Sequence, residues 1–309
     1  MKISVIVPVG DRAQYGACRD ALRRSLALAT ACEWELVEIF DDTRRGVSWA
    51  RNEGLRRATG DYVAWVDADD SVREDWAGKI CAAASRGVDV VTIDARLVGW
   101  KNHRHDLVWG EKHPTMEKLR VAVYRDWARW GAMWLYAIKR ELWADIRFDE
   151  DVKVAEDYLV LPQVLARASS CAYVPEKLYE YKCNEGSIMN SVRQREFKDW
   201  LPPWERRMAE APDQYKHLCR WEKAASCYWL CDCAAVDRSG AQAEGMGGKV
   251  LAACRDTIRQ DFWWLVGEAL RASDLGVLTR LCWLFRFTCA ATGFWTVQKW
   301  RQRRGRRER

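Results

Sequence analysis

Over roughly its first hundred residues the chain alternates short apolar runs with amphipathic stretches, and that alternation leaves few folds open. ISVIVPV precedes a helix-like stretch near residues 17–31, WELVEIF one near 49–58, and YVAWVDA one near 74–84, before VDVVTID closes the series. Strand–helix–strand repetition with apolar strands predicts a doubly wound, mostly parallel sheet with helices on both faces. Sheets of this kind bind ligands at the carboxyl ends of their strands. Those ends carry Pro8, Val9 and Gly10, then Asp41 and Asp42, then Asp67, Asp69 and Asp70. The last set closes the stretch GDYVAWVDADD, three acids within four positions. Crowded carboxylates repel one another and lose solvation, so the arrangement is costly unless a cation or ligand sits there. A solvated turn is the plain alternative.

With 49% apolar residues in 309, the chain can bury a substantial core. MKISVIVPVG runs straight into a strand-like segment, which is no export signal, so a cytoplasmic location is expected. The 12 cysteines are scattered through apolar patterns and read as reduced, buried thiols. Cys227, Cys231 and Cys233 lack the paired spacing of a zinc site, and His103 and His105 fall in a polar stretch.

The net charge of +6 is unevenly placed: a basic block at residues 299–309 follows the aromatic segment GVLTRLCWLFRFTCAATGFWTV. Arg280 and Arg286 interrupt that segment, which therefore reads as interfacial rather than membrane-spanning. Either it lies on an anionic membrane surface, on the inner face of the plasma membrane, or it packs on the protein as a terminal helix. No nucleic-acid recognition motif accompanies the charge, so nucleic acid is not an expected partner.

Glu156 and Asp157 open an apolar periodic segment, YLVLPQVLARA, where acids favour a helix N-terminus and Pro162 is expected within the first turn. Beyond about residue 190 the pattern is helical and rich in Trp, Arg and Leu, broken most clearly at residues 237–248. Two domains are expected, 1–191 and a helical 192–309.

Taken in order, SVIVPV, Asp41-Asp42, GVSWARNEGL, GDYVAWVDADD, KREL with RFDE, EDYL and YEYKCNEGSIMN resemble the family 2 glycosyltransferases of the GT-A fold, bacterial enzymes that build surface polysaccharides. The resemblance covers residues 2–191. It implies that Pro8, Val9 and Asp42 contact a nucleotide base and that Arg51 and Asn52 shape the same pocket. Asp67 and Asp69 would form the DxD motif, one acid near the ribose and one toward a divalent cation, with Asp70 competing for the metal. Oxygen ligands suit Mg²⁺ or Mn²⁺. Asp157 would be the general base of an inverting transfer, with Glu156 supporting it. Lys182 and Arg193 would either reach the diphosphate or stand as ordinary surface charge, and Trp134 would either face the acceptor or, as one of 19 tryptophans, sit in the core. The implied partners are a UDP-sugar donor and a glycan or lipid-linked acceptor.

The chain departs from the family pattern in having only three residues between Asp42 and Gly46. That leaves Arg45 as a second candidate for the nucleotide contact. Two other readings compete: a haloacid dehalogenase-like phosphatase with Asp67 as nucleophile, and a non-catalytic nucleotide-binding scaffold. A dinucleotide oxidoreductase is disfavoured because the first turn lacks GxGxxG.

Overall fold

A computed structural model describes residues 1–99, 106–109, 114–152, 155–182, 203–236 and 246–271. The chain divides into two compact units, Met1–Ser191 and Val192–Arg309.

In the first unit β1 (Lys2–Val9), α1 (Arg12–Leu28), β2 (Glu33–Phe40), α2 (Val47–Arg57), β3 (Tyr62–Trp65), β4 (Ser71–Val72), α3 (Trp76–Ala84) and β5 (Val90–Val98) follow one another. Then come α4 (Met116–Arg125), α5 (Trp127–Trp130), β6 (Tyr136–Lys139), α6 (Glu156–Arg167) and β7 (Cys171–Lys182). The seven strands form one sheet in the order β2-β1-β3-β6-β5-β7-β4. β1 lies parallel between β2 and β3, and β5 is parallel to β7. The short β6 enters antiparallel to both β3 and β5, and β4 is antiparallel to β7. The doubly wound α/β arrangement thus holds, with its antiparallel pairings supplied by strands too short to announce a direction in sequence.

Burial explains the strand patterns. β1 is covered on both faces, with Ile3, Val5, Ile6 and Val7 all inaccessible to solvent, as a continuous apolar run requires. β7 bypasses Pro175 and Glu176, its register against β5 jumping from Ile93–Val174 to Asp94–Lys177. Proline lacks the N–H a ladder needs, so the strand bulges there. α1 starts earlier than the periodicity suggested because Asp11 caps it, accepting from the Ala13 N–H at 2.9 Å.

Two glycines permit close approach. A Cβ on Gly54 would stand 2.3 Å from Ile6 Cγ2, and one on Gly60 would stand 2.7 Å from the Ser4 nitrogen. The first lets α2 lie down on β1; the second lets the turn into β3 pass against β1.

The reading of all cysteines as reduced thiols is corrected at one pair. Cys32 and Cys81, 49 positions apart, form a disulfide with Cα atoms 6.1 Å apart, joining the entrance of β2 to α3. Cys18, Cys219 and Cys227 are buried free thiols, as expected. Closing a loop of this length stabilises by about 4 kcal/mol in the chain-entropy account. The Cys32→Ser/Cys81→Ser chain should therefore unfold at clearly lower urea than the oxidised parent, and dithiothreitol should bring the parent down to meet it. Coincident curves without reductant would show that the pair is not bonded in solution.

In the second unit α7 (Asp213–Val236) and α8 (Met246–Arg271) are joined by Arg220, which pairs with Asp261 at 2.5 Å and lies over the Trp264 ring at 4.4 Å. Leu218, Cys219 and Ala224 face inward from one helix, Ile258, Leu265 and Ala269 from the other. Among the described residues no helix is long and apolar enough to cross a membrane. The aromatic segment, the basic tail, Arg193, His103 and His105 lie outside the described residues.

Candidate active site

The register of β1 against β2 and β3 brings three strand tips to one edge: Pro8 is paired with Ile39, Val9 with Phe40, and Ile6 with Trp65. Val9 is buried and Pro8 half-buried there. At the tip of β2 the two adjacent aspartates separate. Asp41 is buried, its two carboxylate oxygens accepting the N–H groups of Arg45 at 2.8 Å and Gly46 at 2.7 Å. This self-made cap closes the short loop, which uses left-handed backbone at Arg44 (φ 57°) and Gly46 (φ 108°).

Asp42 points outward and is held by Arg12, which donates to it at 2.7 and 3.0 Å while lying over the Phe40 ring at 4.0 Å. The Arg12 hydrogen bond keeps the Asp42 carboxyl below its ordinary range. Arg45 lies over Trp49 at 4.7 Å and pairs with Glu150 at 3.1 Å. The structure therefore holds Asp42 and Arg45 in separate pairs.

Asn52 and Arg51, neighbours in α2, do different work. Asn52 donates to the Phe148 carbonyl at 2.9 Å and accepts the Phe148 N–H at 2.8 Å, so it pins the RFDE segment as a strand partner would. Phe148 packs edge-on against Trp65 at 5.6 Å, which fastens that segment beneath β3.

Arg51 is a buried cation at the centre of the acids. Its guanidinium donates to Glu156 at the start of α6 and to Asp67 at the end of β3, the latter at 3.3 Å. Burial raises the Asp67 carboxyl, and Arg51 opposes the rise. Asp157, beside Glu156, is pushed up to about 8 by burial first and by the Glu156 charge second. Three carboxyls converge on one guanidinium, so proton uptake at one of them relieves the excess negative charge. α6 is entered through Ala155 in the left-handed region (φ 60°), a conformation costing a β-carbon residue about 1–2 kcal/mol. Pro162 stands at the seventh residue of α6 rather than in its first turn, so the helix forgoes the N–H that would serve the Tyr158 carbonyl.

The remaining acids divide by burial. Asp70 is inaccessible to solvent: one carboxylate oxygen accepts from the Tyr179 hydroxyl at 2.7 Å and the other from the Lys182 N–H at 2.8 Å. Burial, with the nearby Asp67 charge, pushes it up to about 8. Lys182 Nζ lies 3.4 Å from the Asp70 carbonyl. Asp69 is half-exposed. Trp134 takes the core alternative: it is buried and stacked on Tyr179 at 4.4 Å with the rings 4° from parallel. Cys18 donates to the Asp67 carbonyl at 3.5 Å, and burial pushes its thiol up to about 12.

Sequence reasoning did not single out Tyr179. The only signal was its place in YEYK, whose lysine drew attention instead. Among the described residues no group of three or more His, Cys, Asp or Glu side chains converges as a ready-made metal cage.

Residues 20–141 match the model of Glycosyl transferase family 2. The succinoglycan biosynthesis protein ExoO of Rhizobium meliloti is 30% identical over 162 residues, 49% of this chain and 46% of that protein. The chain thus spans about half the length of this curated relative. Among solved structures, residues 1–349 of S. aureus TarS superpose with a TM-score of 0.62 at 15% identity, covering 95% of this chain and 91% of that one. The same TarS piece in complex with UDP gives 0.54 at 15% identity. The mannosyltransferase PcManGT from Pyrobaculum calidifontis, solved with GDP-Man and Mn²⁺, gives 0.50 at 16%, covering 95% and 87%. At these identities the structures speak for the fold alone. The ordered motifs and the match over residues 20–141 make this stretch similar to glycosyltransferase family 2, and the strand arrangement is that of the GT-A fold.

Proposed function

We propose that the chain transfers a sugar from a nucleotide-sugar donor, a UDP-sugar before others, to a hydroxyl of a glycan or lipid-linked acceptor in surface polysaccharide or glycolipid synthesis, with inversion. The observation that carries this reading is the Arg51 bridge, which holds a donor-edge acid, Asp67, and the Glu156-Asp157 pair in one cluster. A transferase needs acids at both the leaving group and the attacking hydroxyl. In this reading Asp157 accepts the acceptor's proton, and Glu156, engaged with Arg51, holds the start of α6 in place.

The donor set fits a divalent cation of the Mg²⁺ or Mn²⁺ kind, which takes one or two carboxylates and completes its shell with water and substrate phosphates. Asp69, half-exposed, and Asp67 beside it would hold the ion, which when bound neutralises charge on a diphosphate leaving group. Asp70 is withdrawn as a ligand because Tyr179 and Lys182 engage both its oxygens. Lys182, at the end of β7, is suited to the diphosphate. The Arg12 pairing of Asp42 and the Glu150 pairing of Arg45 would have to open for either to meet a base, which makes Pro8 and Val9 the simpler contacts. A phosphatase with Asp67 as nucleophile is disfavoured, since that acid follows the third strand of the chain rather than the first.

Residues 1–191 would be catalytic. Residues 192–309, ending in the basic tail, would dock peripherally on the anionic inner face of the plasma membrane. That other chains of this fold were solved with UDP, and with GDP-Man and Mn²⁺, supports a nucleotide-sugar donor.

Thermal unfolding with UDP, GDP or CDP, each with and without Mn²⁺, tests the reading. At least one nucleotide should raise the midpoint, and more so with the metal, because a ligand of the native state stabilises it. Indifference to all six conditions would overturn it.

A further inference from the structure

We propose that Tyr179 is a positioning residue for the donor edge: its hydroxyl locks the acidic turn 67–70 so that Asp70 faces the protein and Asp69 remains the accessible acid. The inference rests on the reading of Asp67 and Asp69 as the donor and metal acids.

The turn is a closed unit. The Asp70 N–H donates to the Asp67 carbonyl at 3.2 Å, which fixes the backbone between them. A closed turn alone does not decide which carboxylate turns inward. Tyr179 does, because one hydroxyl serves both ends: it accepts the Asp67 N–H at 3.1 Å and donates to Asp70 at 2.7 Å. At Asp70 water cannot replace it, Asp70 and Tyr179 being wholly buried.

The phenol ring cannot swing away. Trp134 stacks flat on one face, and the β7 backbone is paired on both sides, Tyr179 with Val72 of β4 and with Ala95 of β5. The two β4 pairings, Ser71 with Glu180 and Val72 with Tyr179, begin immediately after the turn. The chain leaving the turn is thus held by the strand that supplies the hydroxyl. Lys182, three residues further along β7, completes the clasp by donating its N–H to the second Asp70 oxygen at 2.8 Å.

Loss of the hydroxyl leaves a buried Asp70 carboxylate oxygen unsatisfied and takes away the partner of the Asp67 N–H. The turn then relieves the deficit by rotating Asp70 toward solvent, where it competes with Asp69 for the cation. A purely structural tyrosine would lower stability without changing how the metal is used.

Tyr179→Phe keeps the ring and its stack on Trp134. The full chain is titrated with whichever of UDP, GDP or CDP stabilises the parent, with saturating Mn²⁺ and with EDTA. The variant should lose about tenfold in Mn²⁺-dependent affinity and less than about twofold without metal. Asp70→Asn, which brings no carboxylate to the cation, should stay within about twofold of the parent, and adding it to Tyr179→Phe should restore most of the lost Mn²⁺-dependent affinity. The double variant strands no buried carboxylate and also serves if Tyr179→Phe fails to fold, a loss of about tenfold there overturning the inference.

Equal Mn²⁺-dependent affinity in parent and Tyr179→Phe, with only a lower unfolding midpoint, would overturn the inference while the donor reading stands. A double variant as weak as Tyr179→Phe would overturn the route through Asp70. A parent chain that binds no nucleotide with Mn²⁺ would remove the donor reading itself, and the inference with it.

Discussion

Asp157→Asn is expected to reduce sugar transfer by a factor of about 10²–10⁴ while leaving nucleotide affinity within about twofold, since it removes a proton acceptor and little volume. Product formation and nucleotide titration on the same preparation check both halves. Near-normal turnover would end the assignment of Asp157 as base. The wild-type rate carries a second signature. Asp157 sits against Glu156, Arg51 and Asp67, and its carboxyl is raised to about 8, chiefly by burial. A base must be ionised to act, so the rate should climb as pH rises toward and through about 8, and the Asn variant should lose that limb.

Stability should run the other way. A carboxyl that holds its proton more tightly when folded favours the native state below its unfolded pKa of about 4. That contribution is lost as pH rises from there to about 8. The parent should therefore weaken across this window relative to Asp157→Asn, and parallel stability profiles would show that the carboxyl is not raised in solution.

Arg51→Gln should destabilise the chain by about 3–5 kcal/mol, because it leaves Glu156 and Asp67 without their shared cation in a buried site. Urea unfolding measures the loss. Adding Glu156→Gln should recover part of it, since removing both partners is gentler than stranding one. A single-variant loss under about 1 kcal/mol would show that water or a proton already compensates these acids. Transfer should fall together with stability in Arg51→Gln yet stay low in the recovered double variant, because the entrance to α6 has lost its tie to β3.

Much of the strand-tip edge was legible because local pattern sufficed. Apolar runs ended where the strands end, and the acids after them fell at one edge of the sheet because parallel neighbours align their tips. What stayed hidden depends on partners far along the chain. Asp41 and Asp42 look alike in sequence, yet the three-residue loop places the first where two N–H groups converge and leaves the second to Arg12. Asp70 cannot be told from Asp69 without Tyr179, which lies 109 residues away. Arg51 was expected to line a base pocket, whereas helix α2 turns it onto the acids of β3 and α6. The Cys32–Cys81 bond escaped for the same reason: neither cysteine sits in a motif, and only the tertiary fold brings the entrance of β2 to α3.

The Asp41 cap has a consequence for how a donor would be met. A loop that its own carboxylate already closes has little conformational freedom left to surrender when a ligand arrives. In the proposed reading the rim beside Pro8 and Val9 is therefore preorganised, and association should proceed without a slow ordering step there. The same economy narrows what the rim can accept, since a loop three residues long cannot reshape itself around a bulkier base.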